Sequence, residues 1–429
     1  MQYTLSKMPV VALFVRSLRT GGAEHVAARL SKIWSCLGYR VVIVSATPLS
    51  GNDYQYAAES VEIADFSSLN GKRLGELNNK YAFDIVVFNS CWDYAWFETA
   101  LNEFKGSGAK IVYIMHHSFA NWMFMLVCLK ELMDSERWLK SIDAFVCVDK
   151  LSALWWQEAG AKSIYIPNPV DDEKDGHYTH EYSKRIAWVG RVLDSGKRIE
   201  LMLKVFQKIK SIVPDSELFV FGQSSKGVEK RLLKAMPGNF WKSIHFMGFS
   251  PNITDMVSRC GIHAFTSLVE ASPQVIPEAQ SCGLPTVAFD LPVLCDYDTA
   301  CGVIKVKDEK SFCDECIRLL TDRFAQLEIS EAAHRAAKNR ASENVCQEVW
   351  SGLFRTIGNS SALAEFLKKN RLLFDNDRIK HDVFCEMRRA SAYMSVAFVP
   401  DLLWLRKWRR RLNLGFLLRR MLGKIGIKE

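Results

Sequence analysis

Apolar residues run without a break from Pro9 to Val15, and Arg16 ends the run. Thr20-Gly21-Gly22 has turn composition. From Ala23 to Gly38 apolar positions recur at helical spacing, with Gly38 placed as a C-terminal stop. Tyr39 to Ala46 is strand-like again, so the chain opens with a βαβ unit. Strand patterns recur at Phe83–Ser90, Ala109–His117, Asp143–Asp149 and Ser163–Asn168. This alternation predicts an open, mostly parallel α/β sheet. The polar, turn-rich stretch from Asn168 to Arg185 interrupts the pattern and reads as an interdomain linker.

The alternation then restarts. Strands are predicted at Arg185–Gly190, Glu217–Gly222, Ile244–Phe249, Gly261–Ser267 and Pro285–Asp290, with helices at Lys197–Val213 and Lys226–Met236. From about Asp308 the pattern is helical to the end. The fold class expected is α/β: two Rossmann-like domains facing across a cleft, plus a helical C-terminal extension. The boundaries expected are 1–170, 171–358 and 359–429. In such sheets ligands bind beyond the carboxyl ends of the strands.

A length of 429 residues agrees with at least two cores. The apolar fraction of 48% and the charged fraction of 24% are those of a globular protein and exclude a largely disordered chain. The N-terminal apolar run is too short to span a membrane and no cleavage site follows it, so a cytoplasmic protein is expected. The twelve cysteines then read as free thiols. Cys313 and Cys316 fall in a helical pattern, and with Cys295 and Cys301 upstream their spacing fits no standard zinc site.

The densest candidate chemistry lies between Ser267 and Asp290, where Glu270 and Glu278 sit eight positions apart. Glu270 is placed in the loop after a strand. A helix is expected from Gln274 to Cys282, with Ser272 as N-cap, Pro277 in the first turn and Gly283 as the stop. A helix N-terminus between two acids suits a nucleotide-sugar: phosphates take the free N–H groups and carboxylates accept from hydroxyls. The alternative is a glutamate that only stabilises its own helix.

The E-x7-E arrangement followed by "GLPTVAFD" resembles the retaining family-4 glycosyltransferases, which have the GT-B fold. Further motifs match in order over Val10 to Gly358. The segment Gly190-Arg191 to Lys197-Arg198 is similar to the family's donor-phosphate motif. Ile166 to Asp171 is similar to its interdomain segment, and Thr20 to Glu24 to its glycine loop. Met115-His116-His117 falls where an active-site histidine lies.

The resemblance implies an acceptor-side first domain and a nucleotide-sugar donor domain second. It implies that Glu278 accepts the ribose hydroxyls and Glu270 those of the donor sugar. Arg191 and Lys197 would neutralise the diphosphate. Gly21, Gly22 and Gly190 would let backbone approach it, and Ser272 and Pro273 would line the sugar pocket. His116, preferred to His117, would sit beside the transferred sugar. Ala271-Ser272-Pro273 replaces the family's usual Gly-Phe-Gly, which leaves the sugar open.

The implied chemistry is retaining transfer without a metal, the leaving phosphate itself taking the acceptor's proton. The implied donor is a UDP-hexose, and the acceptor a lipid-linked or surface glycan. Asp296-Tyr-Asp298 and Asp375-Asn-Asp377 match an Asp-x-Asp metal pattern only formally and read as solvated turns. No G-x-G-x-x-G opens either domain. The alternatives are a sugar-nucleotide epimerase on the same fold, or a non-catalytic sugar-nucleotide-binding protein at a membrane.

The formal charge of +8 is concentrated late in the chain. From Leu402 to Glu429, Trp404, Trp408, Leu412 and Phe416 interleave with Arg406–Arg411 and Arg419-Arg420. That pattern suits a segment lying on an anionic membrane surface, peripheral on the inner face, or else a helix packed on the body. Nucleic acid is not an expected partner.

Overall fold

The computed structural model describes residues 8–19, 21–50, 53–63, 71–89, 94–119, 141–158, 160–170, 178, 181–250, 253–339, 342–372, 382 and 385–386. The first domain holds β1 (Val10–Val15), β2 (Arg40–Ser45), β3 (Ser60–Ile63), β4 (Ile85–Asn89), β5 (Lys110–Met115), β6 (Ala144–Cys147) and β7 (Ser163–Tyr165). They form one sheet in the order β3-β2-β1-β4-β5-β6-β7. The second domain holds β8 (Arg185–Val189), β9 (Glu217–Phe221), β10 (Ile244–Gly248), β11 (Ile262–Phe265), β12 (Thr286–Phe289) and β13 (Val303–Val306), ordered β10-β9-β8-β11-β12-β13. Neighbouring strands in both sheets run parallel.

The apolar runs are continuous because both faces of each sheet are covered. Val10, Ala12 and Phe14 enter one core cluster, while Val11, Leu13 and Val15 enter another on the opposite face. The second sheet divides likewise: Ile186 and Trp188 face one cluster and Ala187 another.

Strand order reverses between β1 and β4 in the first sheet and between β8 and β11 in the second. Loops leaving two such strands diverge to opposite faces and leave a crevice between them. The loops after β1 and β8, and the segment after β11, carry the glycine loop, the basic motif and Glu270. The two parallel α/β sheets are the expected fold class.

Elements without a strong local signal were not predicted. β3 is a four-residue edge strand, only partly buried. β13 was not predicted, nor was the short helix Ile253–Val257. Cys313 and Cys316 are buried in the second domain's core, on the helix Glu309–Thr321. Asp296 is paired with Lys150, and Asp298 accepts from the backbone N–H of Cys301. Asp375, Asp377 and the tail from Leu402 lie outside the described residues.

The expected boundary at 358 needs correction. Helix Ser342–Thr356 and part of Ser360–Lys369 return to the first domain. Cys346, Trp350, Leu353, Phe354 and Leu363 share a cluster with Leu30, Ile33 and Trp34 of the first helix, Gly22–Cys36. Trp34 and Trp350 meet edge-on at 5.0 Å, and Phe354 lies 5.3 Å from Trp34. Helical periodicity shows that a face is apolar; it does not show which domain covers it.

Trp350 is 1% exposed. Trp350→Ala should therefore lower stability by about 3–5 kcal/mol, the cost of removing a large buried aromatic. Urea unfolding followed by circular dichroism measures it. A loss below about 1 kcal/mol would show that this helix does not complete the first core.

Candidate active site

β8 delivers the chain to Gly190, whose N–H donates to Phe221 O at 2.9 Å. The loop then folds on Asp194, which accepts from Gly196 N at 2.9 Å and from Arg191 at 3.1 Å. A single 3-10 turn, Ser195–Lys197, follows, and Arg198 in the left-handed region (φ 59°) starts the helix Ile199–Ile212. This basic loop is tied to the segment after β11. Thr266 Oγ1 donates to Lys197 O at 2.7 Å and accepts from the Trp188 indole at 2.8 Å. Leu268 N donates to Gly196 O at 2.8 Å. The ties bring the Lys197 ammonium directly onto the Glu270 carboxylate.

The acid-bearing helix spans Val275–Ser281, shorter at both ends than expected. Ser272 is not its N-cap; Gln274 is, and no side chain caps it. A cap must sit next to the first helical residue, and Ser272 stands three positions ahead of Val275. Pro277 does lie in the first turn, and Gly283 follows the helix with φ 70°.

Glu278 is 6% exposed and faces the first domain. Arg29 Nη2 and His25 Nδ1 each approach its carboxylate to 3.7 Å. Arg29 also donates to Gln274 Oε1 at 3.0 Å and to Pro169 O at 3.1 Å, in the segment that joins the domains. His25 stacks on Tyr54 with ring centroids 4.7 Å apart. Sequence reasoning missed both residues. A signal existed: Arg29 stands between Ala28 and Leu30 on the buried face of the first helix, and a buried arginine requires an acid.

Across the cleft, Gly21 is the N-cap of the first helix with φ 124°. A Cβ there would lie 2.3 Å from Glu24 Oε2, whereas Gly22 has open space around it. Thr20 lies outside the described residues. Burial raises the Glu24 pKa, opposed by its own backbone hydrogen bond and by the charges of Arg191 and Arg16. The basic loop of one domain and the glycine loop of the other thus share a field.

His116 and His117 follow β5 and are half-buried. His116 Nε2 bonds Asn89 Oδ1 at 2.7 Å, and Asn89 Nδ2 donates to Ala23 O at 3.1 Å, behind the glycine loop. Burial pushes the His116 pKa down to about 3, with His117 adding repulsion if both are charged. Burial, with a smaller contribution from the charge of Arg191, pushes His117 down to about 4. Of the two rings, it is His117 that feels the Arg191 cation of the basic loop. Gly21, the histidines, Arg191, Lys197 and Glu270 therefore gather around one cleft, with Ser272 and Pro273 on its loop.

Residues 183–322, which contain all six strands of the second sheet, match the family model described as glycosyl transferases group 1. An uncharacterized glycosyltransferase of Haemophilus influenzae is 23% identical over 301 residues, 66% of this chain and 81% of that protein. HepE of Anabaena, solved in complex with UDP and glucose, superposes with a TM-score of 0.65 at 14% identity, covering 81% of this chain and 100% of that one. A TarM variant of S. aureus, solved with Fondaparinux, alpha-GlcNAc-glycerol and UDP, gives 0.66 at 11% identity over 82% of this chain and 100% of that one. Sucrose-phosphate synthase of Thermosynechococcus elongatus gives 0.66 at 13% identity, covering 81% and 99%.

Fold and matched model define a glycosyltransferase with the GT-B architecture. The second domain matches the group 1 model, and the ordered motifs resemble the family-4 kind.

The histidine environment has a pH consequence. Both folded pKa values lie below the ordinary 6.5, so the fold favours the neutral rings. Their contribution to stability is complete above about 6.5 and is lost as pH falls through that value towards the folded ones. Histidine NMR should show neither ring protonated at pH 5.5, and His117→Gln should reduce the drop in Tm between pH 7 and pH 5. A ring titrating near 6.5 would contradict this environment.

Proposed function

We propose that the cleft transfers a hexose from a UDP-sugar to a glycan acceptor, with retention of configuration and without a metal. The observation that carries the reading is the Lys197–Glu270 pair beside Arg191, placed opposite the glycine loop and the two histidines. HepE was solved with UDP and glucose, and the pneumococcal O-GlcNAc transferase GtfA with UDP and GlcNAc. They support the choice of UDP.

Lys197 and Arg191 neutralise the diphosphate, Arg191 through its planar fork and Lys197 as a point charge. Glu270 exchanges Lys197 for hydroxyls of the donor sugar. Backbone at Gly21, Gly22, Gly190, Ser272 and Pro273 approaches the sugar and phosphates. His116 stands beside the transferred sugar, held by Asn89. Glu278 accepts the ribose hydroxyls in place of its contacts with His25 and Arg29.

The anomeric C–O bond to phosphate breaks as the acceptor oxygen bonds the same face, and the leaving phosphate takes the acceptor's proton. Fixed cations oriented at the charge that develops there supply the stabilisation.

Among the described residues no helix is long and apolar enough to cross a membrane. We place the acceptor on a lipid or surface polysaccharide, with Leu402–Glu429 lying peripherally on an anionic cytoplasmic membrane face. Removing residues 406–429 should release the protein from anionic vesicles at low salt. If the full chain does not sediment with such vesicles, the surface role is wrong.

Calorimetry with UDP and steady-state transfer assays test the donor site together. Glu278→Gln should weaken UDP, and Glu270→Gln should slow transfer while leaving UDP affinity intact or tighter. Arg191→Ala should cost about 2–4 kcal/mol of transition-state stabilisation. Transfer should persist in a strong chelator. Equal losses of UDP affinity in the two glutamate variants, or activity restored only by manganese, would contradict the assignment.

A further inference from the structure

The basic loop ends in a residue whose backbone does not suit its type. Among the described residues, only Ala82 and Arg198 hold a positive φ without being glycine. Ala82 lies just before β4, at the amino end of the first sheet. Arg198 follows Lys197 at the cleft, with φ 59° and ψ 48°. A Cβ is disfavoured in that left-handed region, whereas glycine adopts it freely. Such strain persists only where the surroundings over-determine it, and it gathers at functional sites.

The surroundings of Arg198 do so from three directions. Thr266 Oγ1 donates to Lys197 O at 2.7 Å and stands 3.4 Å from Arg198 O, so it holds the carbonyls of both residues. The Arg198 guanidinium lies over the Phe289 ring, 4.9 Å from its centroid. Phe289 is the last residue of β12 and only 5% exposed, which makes its ring a fixed seat. Lys204 chiefly, and Arg198 with it, lower the Glu309 pKa, so the guanidinium also lies within charge range of the helix Glu309–Thr321. Helix stability does not account for the residue. Arg198 makes no side-chain cap for the helix Ile199–Ile212, and a cation at that end opposes the helix dipole.

We infer that Arg198 is a positioning residue for Lys197. Its left-handed turn fixes the direction in which the chain leaves Lys197, and its seat on Phe289 fixes the turn. The basic loop is thereby held at two strands, by Thr266 after β11 and by Arg198 at the end of β12. The Lys197 ammonium meets Glu270 under both restraints. Glycine at this position would allow the same turn with less strain. It would also allow other turns, and it would leave the loop tied to the β11 side alone. A cation loses its preorganised advantage as its range of positions widens. The consequence for a bound diphosphate rests on the transferase reading of the cleft. The placement of Lys197 against Glu270 does not.

The test compares Arg198→Gly and Arg198→Lys with the wild type in the full chain, by thermal melts, lysine-ammonium NMR and UDP calorimetry. The Lys197 signal is assigned by its loss in Lys197→Met. Arg198→Gly should not lower Tm, because the left-handed strain is relieved. The Lys197 ammonium should nevertheless exchange with water about threefold to fivefold faster, the weight of one lost cation–ring contact. UDP affinity should fall by a similar factor. Arg198→Lys, which keeps a cation for the ring, should recover most of both losses. In Lys197→Met, adding Arg198→Gly should change UDP affinity by less than about twofold, since the two residues act as one unit.

Unchanged ammonium exchange in Arg198→Gly would overturn the inference. So would an equal loss of UDP affinity with and without Lys197, which would make Arg198 a direct contact. A lowered Tm in Arg198→Gly would make the residue a general prop of the fold and would overturn it too. If the wild type binds no UDP, the donor reading fails, and the ammonium exchange still decides the role of Arg198.

Discussion

The cleft depends on the tie between two loops of the second domain. They leave β8 and β11, the strands between which that sheet reverses its order. Thr266 bonds the carbonyl of Lys197 and receives the Trp188 indole, while Leu268 bonds the carbonyl of Gly196. Without these bonds the basic motif and Glu270 would sit on independent loops. With them, an ammonium and a carboxylate from distant parts of the chain are held in contact, with Arg191 alongside. A loop cation preorganised in this way stabilises charge with little reorganisation.

Contact between the domains has a similar logic. The first helix sends Arg29 to three places: Glu278, Gln274 and the carbonyl of Pro169. The returning helix at Ser342–Thr356 packs Trp350 against Trp34 of that same helix. One element thus joins the E-x7-E segment, the connecting chain and the C-terminal part of the molecule. A buried charge so placed penalises any arrangement in which the acid moves away. Under the proposed ribose contact, any displacement of Glu278 is coupled to a change at the first helix.

The second domain's loops at the cleft were legible because their signals are local. Strand ends at Val189 and Phe265 follow from short apolar runs, and Gly190, Lys197 and Glu270 sit within a few residues of them. The stop at Gly283 was legible for the same reason. Ser272 was misassigned as a cap because its residue type was right but its distance from the helix was not.

What lay beyond reach was contact between distant segments. Nothing near Arg29 in the sequence points to Glu278, and nothing near Trp350 points to Trp34. β3 escaped notice because an edge strand needs no continuous apolar run.

Hydrogen exchange with and without UDP tests the central claim, that the loops after β8 and β11 form one binding unit. UDP should slow exchange at residues 190–198 and 266–278 together, over the same concentration range. Protection confined to one of these segments, or appearing only elsewhere, would contradict it.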